Sequence, residues 1–436
     1  MPLWGGRALT RRGLGGIVLA VGEWLVVQGW AGMQSKTDYD IVIVGGGIVG
    51  LATAYKIATS HPGLRLVVLE KEDRLAGHQT GHNSGVIHSG LYYRPGSAKA
   101  RTCAAGRKEL LEFARTHGIP HEICGKLIVA TDEAELPALE RILDNGRQNG
   151  VEGLERIGPE RIRQIEPFAT GIAALHVASA GIVDFVKVAE KLAELIRGTG
   201  GQVLVSHEVT GFDKHDFYTN VLTGKGTFNT RFIINCAGLQ CDRVARMDGV
   251  EPRVRIIPFR GDYCALDGPA AGKVRHLVYP VPNPAFPFLG VHFTRMLDGS
   301  VECGPNAVFS FRREGYRRTD FSLHDAWESV SYPGTWRLFA RHWRYGLGEY
   351  ARAFSKKLLL TQLQRLIPSL EAQDLHPGTA GVRAQALGPA GELVDDFKIE
   401  TRGHAIHVLN APSPAATASL AIGSYINDVA TEHFKL

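Results

Sequence analysis

The segment Tyr39-Asp40-Ile41-Val42-Ile43-Val44-Gly45-Gly46-Gly47-Ile48-Val49-Gly50 constrains the fold more than any other stretch of the chain. Four β-branched aliphatic residues in succession read as a buried strand, and three glycines stop it in a tight turn. Gly45, Gly47 and Gly50 fit G-x-G-x-x-G, a spacing that provides a sharp turn, close backbone approach to a pyrophosphate, and close packing of helix on strand. A helix is predicted over about 48–60, its N-terminal amides and dipole aimed at the phosphates, and Pro62-Gly63 ends it. A second strand over 64–70 closes the βαβ unit. Glu70 lies twenty residues past Gly50, where a carboxylate can accept both ribose hydroxyls, and Lys71 follows it. A tight turn that binds nothing would leave that acid unexplained.

At 436 residues the chain has room for two or three domains. Its formal charge of +5 is too small to point to nucleic acid. The six cysteines are scattered, without CxxC pairs, which suggests core thiols in a reducing compartment and no metal site. Residues 1–35 carry Arg7, Arg11 and Arg12 against the single acid Glu23, with an apolar run over 14–33. They read first as a mitochondrial transit peptide. The alternatives are a secretory signal or a peripheral membrane anchor, since Glu23, Gln28 and several glycines interrupt a full membrane span.

Past Glu70, Gly77-His78-Gln79-Thr80-Gly81-His82-Asn83-Ser84-Gly85-Val86-Ile87-His88-Ser89-Gly90 is too glycine-rich for a packed element. It reads as a loop presenting amides and small side chains to a flat ligand. Residues 39–120, 180–240 and 376–436 are expected to form one discontinuous dinucleotide-binding domain. Residues 121–179 and 241–375 would form a second domain, with the strand 126–130, a β-rich stretch, and a helical excursion over about 320–367. Trp327, Trp336 and Trp343 in that excursion read as core aromatics. Small residues at Ala237-Gly238 and over 411–416 would let backbone pass close to the cofactor, with Ser413 capping and Pro414 opening a final helix. The fold class is therefore α/β: a discontinuous Rossmann-type domain plus a β-rich α+β substrate domain.

The 39–50 segment, the 77–90 loop, Pro258-Phe259-Arg260-Gly261-Asp262-Tyr263, the 279–293 stretch with Phe286-Pro287-Phe288-Leu289-Gly290-Val291-His292-Phe293, Gly304-Pro305-Asn306-Ala307 and 411–419 together resemble the L-2-hydroxyglutarate dehydrogenase family. The family usually has proline where Arg295 stands, and the 264–276 stretch looks shortened. The resemblance implies a D-amino-acid-oxidase-like flavoprotein fold with bound FAD. It implies oxidation of L-2-hydroxyglutarate to 2-oxoglutarate by hydride transfer to flavin N5, with a non-oxygen acceptor such as a quinone or an electron-transfer flavoprotein. It also implies a mitochondrial setting in eukaryotes, at the inner membrane as one option; a prokaryotic source would place the protein in the cytoplasm or at the membrane periphery. An amine or amino-acid oxidase of the same fold, and a non-catalytic electron-transfer subunit, are the other readings.

Cofactor contacts are expected from Gly45, Gly47, Gly50, Glu70, Lys71, Thr80, His82, Asn83, Ser84, Gly85, Ala237, Gly238, Arg383, Ser413, Ala415 and Ala416. A diacid needs two cations, for which Arg260 and Arg383 are the first candidates and Lys126 the reserve, with Tyr279 beside them. An alcohol, unlike a neutral amine, must lose its hydroxyl proton to a base, and His82, His88 and His292 favour that chemistry. His292, expected in a strand opposite Val291 and Phe293, is the leading base and His88 the runner-up.

Overall fold

The computed structural model describes residues 37–282 and 290–436, without the side chain of Tyr345. The leader and the start of the 286–293 motif lie outside the described residues. Strand β1 (Tyr39–Val44), helix α1 (Ile48–Ser60) and strand β2 (Leu66–Leu69) form the expected βαβ unit. Parallel pairing continues outward on both sides, to Gln202–Leu204 beyond β2 and to Gly226–Asn235 then Ala405–Asn410 beyond β1. In chain order these five strands run 3-2-1-4-5. Strand order thus reverses between β1 and Gly226–Asn235, and a crevice opens at their carboxyl ends. There Cys236 N–H donates to Val44 O at 2.8 Å, setting the glycine turn beside the Cys236–Gly238 turn.

The β-branched run explains the layers, because alternate residues feed opposite cores. Ile41 and Ile43 pack with Leu51, Ile57, Leu192 and Ile426 on the helical side, whereas Val42 and Val44 pack with Ile233 and Val244 on the other. Helix Phe185–Gly198 starts where Asp184 accepts hydrogen bonds from the amides of Val186 and Lys187. It buries Val188, Leu192 and Ile196, at about 2 kcal/mol each. The last helix, Ser419–Phe434, lies directly on α1: a Cβ at Gly423 would come within 2.7 Å of the Ala52 backbone. It starts later than Ser413-Pro414 suggested, and its N-cap is Ala418. The chain before it is held in a turn, with Thr417 Oγ1 accepting from His88 N–H (3.1 Å) and donating to Val86 O (3.2 Å).

A second, mostly antiparallel sheet is built on the strands Arg255–Leu266 and His376–Leu387, which pair along nearly their whole length. Lys126–Ala130, Leu277–Pro280 and His292–Arg295 belong to it. Residues 376–387 are therefore part of the substrate sheet and not of the dinucleotide-binding domain expected over 376–436. The small residues serve a crossing, since a Cβ at Gly381 would lie 2.5 Å from His82 O in the glycine-rich loop. Helix Cys241–Met247, expected in the second domain, packs on the first sheet, and a buried ion pair ties it to the second: Arg313 (1% exposed) meets Asp242 (0%), with Glu328 3.2 Å from the same guanidinium. Burial alone would raise the Asp242 carboxyl, but Arg313 holds it below its ordinary value.

Helix Pro333–Phe354 and its flanking helices, Leu323–Val330 and Lys356–Gln364, account for the helical excursion. The tryptophans depart from expectation. Trp327, Trp336 and Trp343 are 68%, 60% and 55% exposed and are not core residues, because the long helix buries Leu338, Glu349 and Ala353 instead and the helix before it buries Asp325, Ala326 and Ser329.

Candidate active site

The three motif glycines answer different demands. Gly45 sits at φ +111°, and a Cβ there would meet Cys236 O at 2.5 Å; at Gly50 it would meet Gly45 O at 2.1 Å. At Gly47 the nearest atom is Thr80 Oγ1 at 3.5 Å, so this residue leaves its open side to a cavity. Thr80 Oγ1 also accepts the Ile48 N–H (3.0 Å) at the start of α1. Glu70 is fixed by two amides, Gly46 N–H to Oε2 at 2.8 Å and Glu72 N–H to Oε1 at 2.9 Å, at the far cavity wall.

The cavity, of about 790 Å³, runs from Glu70 and Lys71 past the glycine turn to Tyr263, Tyr279, His292 and Arg383 on the second sheet. That is within the usual range for a large ligand. Its wall includes His82, Asn83, Ser84, Ala237, Gly238, Ser413, Ala415 and Ala416. Gly50 and Gly85 (φ +65°), expected as contacts, do not line it; a Cβ there would meet Gly45 O and Val183 O instead. Asn83 closes the loop on itself, Nδ2 donating to Gln79 O and Thr80 O while Oδ1 accepts from Gly85 N–H. His82 Nδ1 bonds Ala380 O at 2.9 Å, and its ring stacks on Tyr316 at 4.0 Å. The Lys71 ammonium is held by Glu72 and by Glu314 at 2.9 Å, at the rim. The Gly47 opening, the α1 N-terminus and the anchored Glu70 carboxylate together fit the pyrophosphate and ribose of a flavin dinucleotide.

At the other end His292 is 4% exposed, and its Nδ1 lies 2.8 Å from Gly290 O. A carbonyl can only accept, so Nδ1 carries the proton and the neutral ring presents the Nε2 lone pair. Burial pushes the imidazole down to about 3; the Gly290 bond opposes this, and Lys126, Arg383 and His88 add to it. His88 is half-buried, lines both the cavity and a small recess beside it, and is likewise lowered by burial to about 3, with further lowering from Lys126 and Lys99. Both histidines are therefore unprotonated at neutral pH.

Tyr279 stacks on His292, with ring centroids 3.8 Å apart and planes 20° from parallel. Lys126 Nζ lies 3.5 Å from the same phenol centroid and 4.9 Å from that of Tyr92. Two groups so close cannot share one face of a ring, so Tyr279 separates ammonium from imidazole. Lys126 is 4% exposed, and burial lowers its ammonium to about 7. It borders a small recess shared with His88, Tyr92 and Tyr93, and the buried Tyr92 hydroxyl has no hydrogen-bond partner there.

Arg260 is a correction. Strand alternation turns Gly261 and Tyr263 to the cavity and Arg260 to the other face, where its guanidinium binds Asp262 (2.8 Å) and Arg317 O (2.8 Å). Arg383 and Lys99 line the cavity with the two histidines, and Lys126 lies in the small recess that also borders His88. Tyr263, Tyr92 and Thr417 escaped the sequence reading. Only Tyr263 carried a usable signal, its two-residue offset from Gly261.

Fold and site together define a flavin-dependent oxidoreductase. The sequence pattern of the family of FAD dependent oxidoreductases matches residues 40–429. The L-2-hydroxyglutarate dehydrogenase of Indibacter alkaliphilus is 48% identical over 91% of this chain and 100% of its own length. The mitochondrial L-2-hydroxyglutarate dehydrogenase of Homo sapiens is 43% identical over 92% of this chain and 90% of its own. A solved structure of dithionite-reduced L-α-glycerophosphate oxidase from Mycoplasma pneumoniae with FAD bound superposes with a TM-score of 0.71 at 24% identity, covering 90% of this chain and 94% of that one. The chain belongs to the FAD-dependent oxidoreductases, and within them to the L-2-hydroxyglutarate dehydrogenase family.

Proposed function

We propose that this protein oxidises L-2-hydroxyglutarate to 2-oxoglutarate, as the names of its relatives suggest, with His292 as the base. The observation that carries the reading is the Nδ1 bond to Gly290, which leaves a buried, neutral Nε2 facing the cavity. An alcohol needs such an acceptor in the transition state and a neutral amine does not, so the site favours the hydroxyacid over an amine. Bound FAD supplies the acceptor for the hydride that leaves C2. His292 Nε2 takes the hydroxyl proton, Arg383 holds a carboxylate from the cavity wall, Lys126 adds positive charge from the recess behind Tyr279, and Tyr279 keeps the imidazole flat against its own ring. Electrons then leave to a quinone or an electron-transfer flavoprotein. The arginines of the leader and the mitochondrial names among the relatives support a mitochondrial setting as part of this proposal.

Arg383 on the cavity wall, with Lys126 in the recess behind Tyr279, makes the distal carboxylate a recognition element. Replacing it with a methyl group, as in 2-hydroxyvalerate, is expected to lower kcat/KM by roughly 10- to 100-fold, the value of one charge-assisted hydrogen bond. Equal kcat/KM for the two acids in steady-state assays with a dye acceptor would remove diacid recognition from the account.

A further inference from the structure

Between strand Val308–Phe309 and helix Leu323–Val330 the chain leaves the second sheet, crosses to the walls of the dinucleotide crevice and returns. Departure and return are both pinned to strand Arg255–Leu266: Ser310 N–H donates to Pro258 O at 3.0 Å, and Arg317 O accepts from the Arg260 guanidinium at 2.8 Å. Arg260, turned away from the cavity, thus holds the end of this strap. Between the two pins three side chains reach the other half of the molecule. Arg313 donates to Leu239 O at 2.7 Å and to Asp242 Oδ2 at 2.9 Å, just past the Cys236–Gly238 turn. The Tyr316 hydroxyl lies 2.8 Å from His78 Nδ1 and its ring stacks on His82, so the glycine-rich loop is held as well.

The third, Glu314, lines the cavity, which Arg313 and Tyr316 do not. One of its carboxylate oxygens accepts from Lys71 Nζ at 2.9 Å and the other from Gln240 Nε2 at 2.7 Å. Lys71 follows β2, and Gln240 follows strand Gly226–Asn235; these strands flank β1 on opposite sides, so the two residues stand on opposite lips of the crevice. One side chain therefore spans it. Burial alone would raise the Glu314 carboxyl, but the bonds from Gln240 and Lys71 hold it below its ordinary value, and it is an anion at neutral pH. An anion is a poor ligand for a pyrophosphate, and the acid placed for the ribose is Glu70. The bonds of Glu314 tie wall to wall.

We infer that Glu314 is a positioning residue that clasps the crevice over bound FAD, so that the cofactor enters and leaves only when its bonds to Lys71 and Gln240 open. The substrate half of the molecule supplies the clasp, and the pins at Ser310 and Arg317 hold it in reach. The inference concerns retention of the cofactor and holds whatever the substrate is.

The test follows free-FAD fluorescence after the FAD-loaded full chain is diluted into buffer without flavin. Glu314→Gln is expected to release FAD roughly tenfold faster or more, the effect of one lost charge-assisted hydrogen bond. A clasp obstructs entry as well as exit, so the equilibrium Kd for FAD should rise by clearly less than the release rate. The denaturant midpoint in excess FAD should stay near that of the wild type. Tyr316→Phe removes only the hydroxyl at His78 and keeps the ring on His82; it should release FAD severalfold faster, and it guards against a folding defect in Glu314→Gln. Release at the wild-type rate from both variants would overturn the inference. So would a Kd that rises by the whole factor of the release rate, which would make Glu314 a direct ligand of FAD. A denaturant midpoint that falls in step with faster release would overturn it too, leaving Glu314 as a brace of the fold.

Discussion

His292→Ala is expected to slow anaerobic flavin reduction by L-2-hydroxyglutarate by a factor of roughly 10² to 10⁴, with FAD content unchanged. The ring's free nitrogen is defined by its other hydrogen bond, to Gly290 O, and its strand belongs to the second sheet, whereas the glycine turn and Glu70 lie at the end of the first. His292→Gln should be nearly as poor, because an amide cannot take a proton. Burial holds the imidazole neutral down to about pH 3 in the free protein, so loss of activity on mild acidification should not report His292 before substrate binds. Rapid-mixing absorbance of both variants decides the matter. If His292→Ala reduces its flavin at the wild-type rate and His88→Ala does not, the base is His88.

Lys126→Met should make the protein more stable near neutral pH while weakening substrate binding. In the folded chain burial lowers the ammonium from 10.5 to about 7. Between those values the unfolded chain binds more protons than the folded one, so wild-type stability rises with pH across that window. Below about pH 7 the charged amine is a constant penalty, and methionine removes it. The shift corresponds to several kcal/mol; the lost contacts with Tyr279 and Tyr92 offset part of it, leaving a net gain of roughly 2–4 kcal/mol at or below pH 7. The gain should shrink towards pH 10. Denaturant unfolding of the FAD-loaded variant and wild type at several pH values measures this, and a destabilised variant at pH 7 would mean that Lys126 has an anionic partner in the folded protein. The KM for L-2-hydroxyglutarate should rise by roughly severalfold, as expected for the loss of a nearby positive charge that acts through the Tyr279 ring and not by direct contact.

The dinucleotide half of the molecule was legible because its signals are local. A β-branched run, three glycines and an acid at fixed spacing define strand, turn and helix within about thirty residues, and α1 begins and ends where Ile48 and Ser60 placed it. The substrate half depends on pairing between distant strands. Arg260 was misplaced because a one-residue step on a strand reverses its face, and only the pairing of Gly261 with Gly381 shows which face meets the cavity. Residues 376–387 looked like cofactor-binding backbone because a close crossing and a close ligand approach both call for small side chains. Lys126 stood only in reserve, since nothing in Lys126-Leu127-Ile128-Val129-Ala130 reveals that its amine is buried between two phenols. The tryptophans failed for the opposite reason: apolar side chains at helical spacing look the same in sequence whether they face a core or lie exposed.

The most direct test of the central claim is anaerobic addition of each enantiomer of 2-hydroxyglutarate to the purified FAD-loaded protein, followed in the visible band of the flavin. The account predicts complete bleaching by the L enantiomer, with formation of an equivalent of 2-oxoglutarate, and little or none by the D enantiomer. An oxidised spectrum that persists with the L enantiomer, or equal bleaching by both, would contradict it.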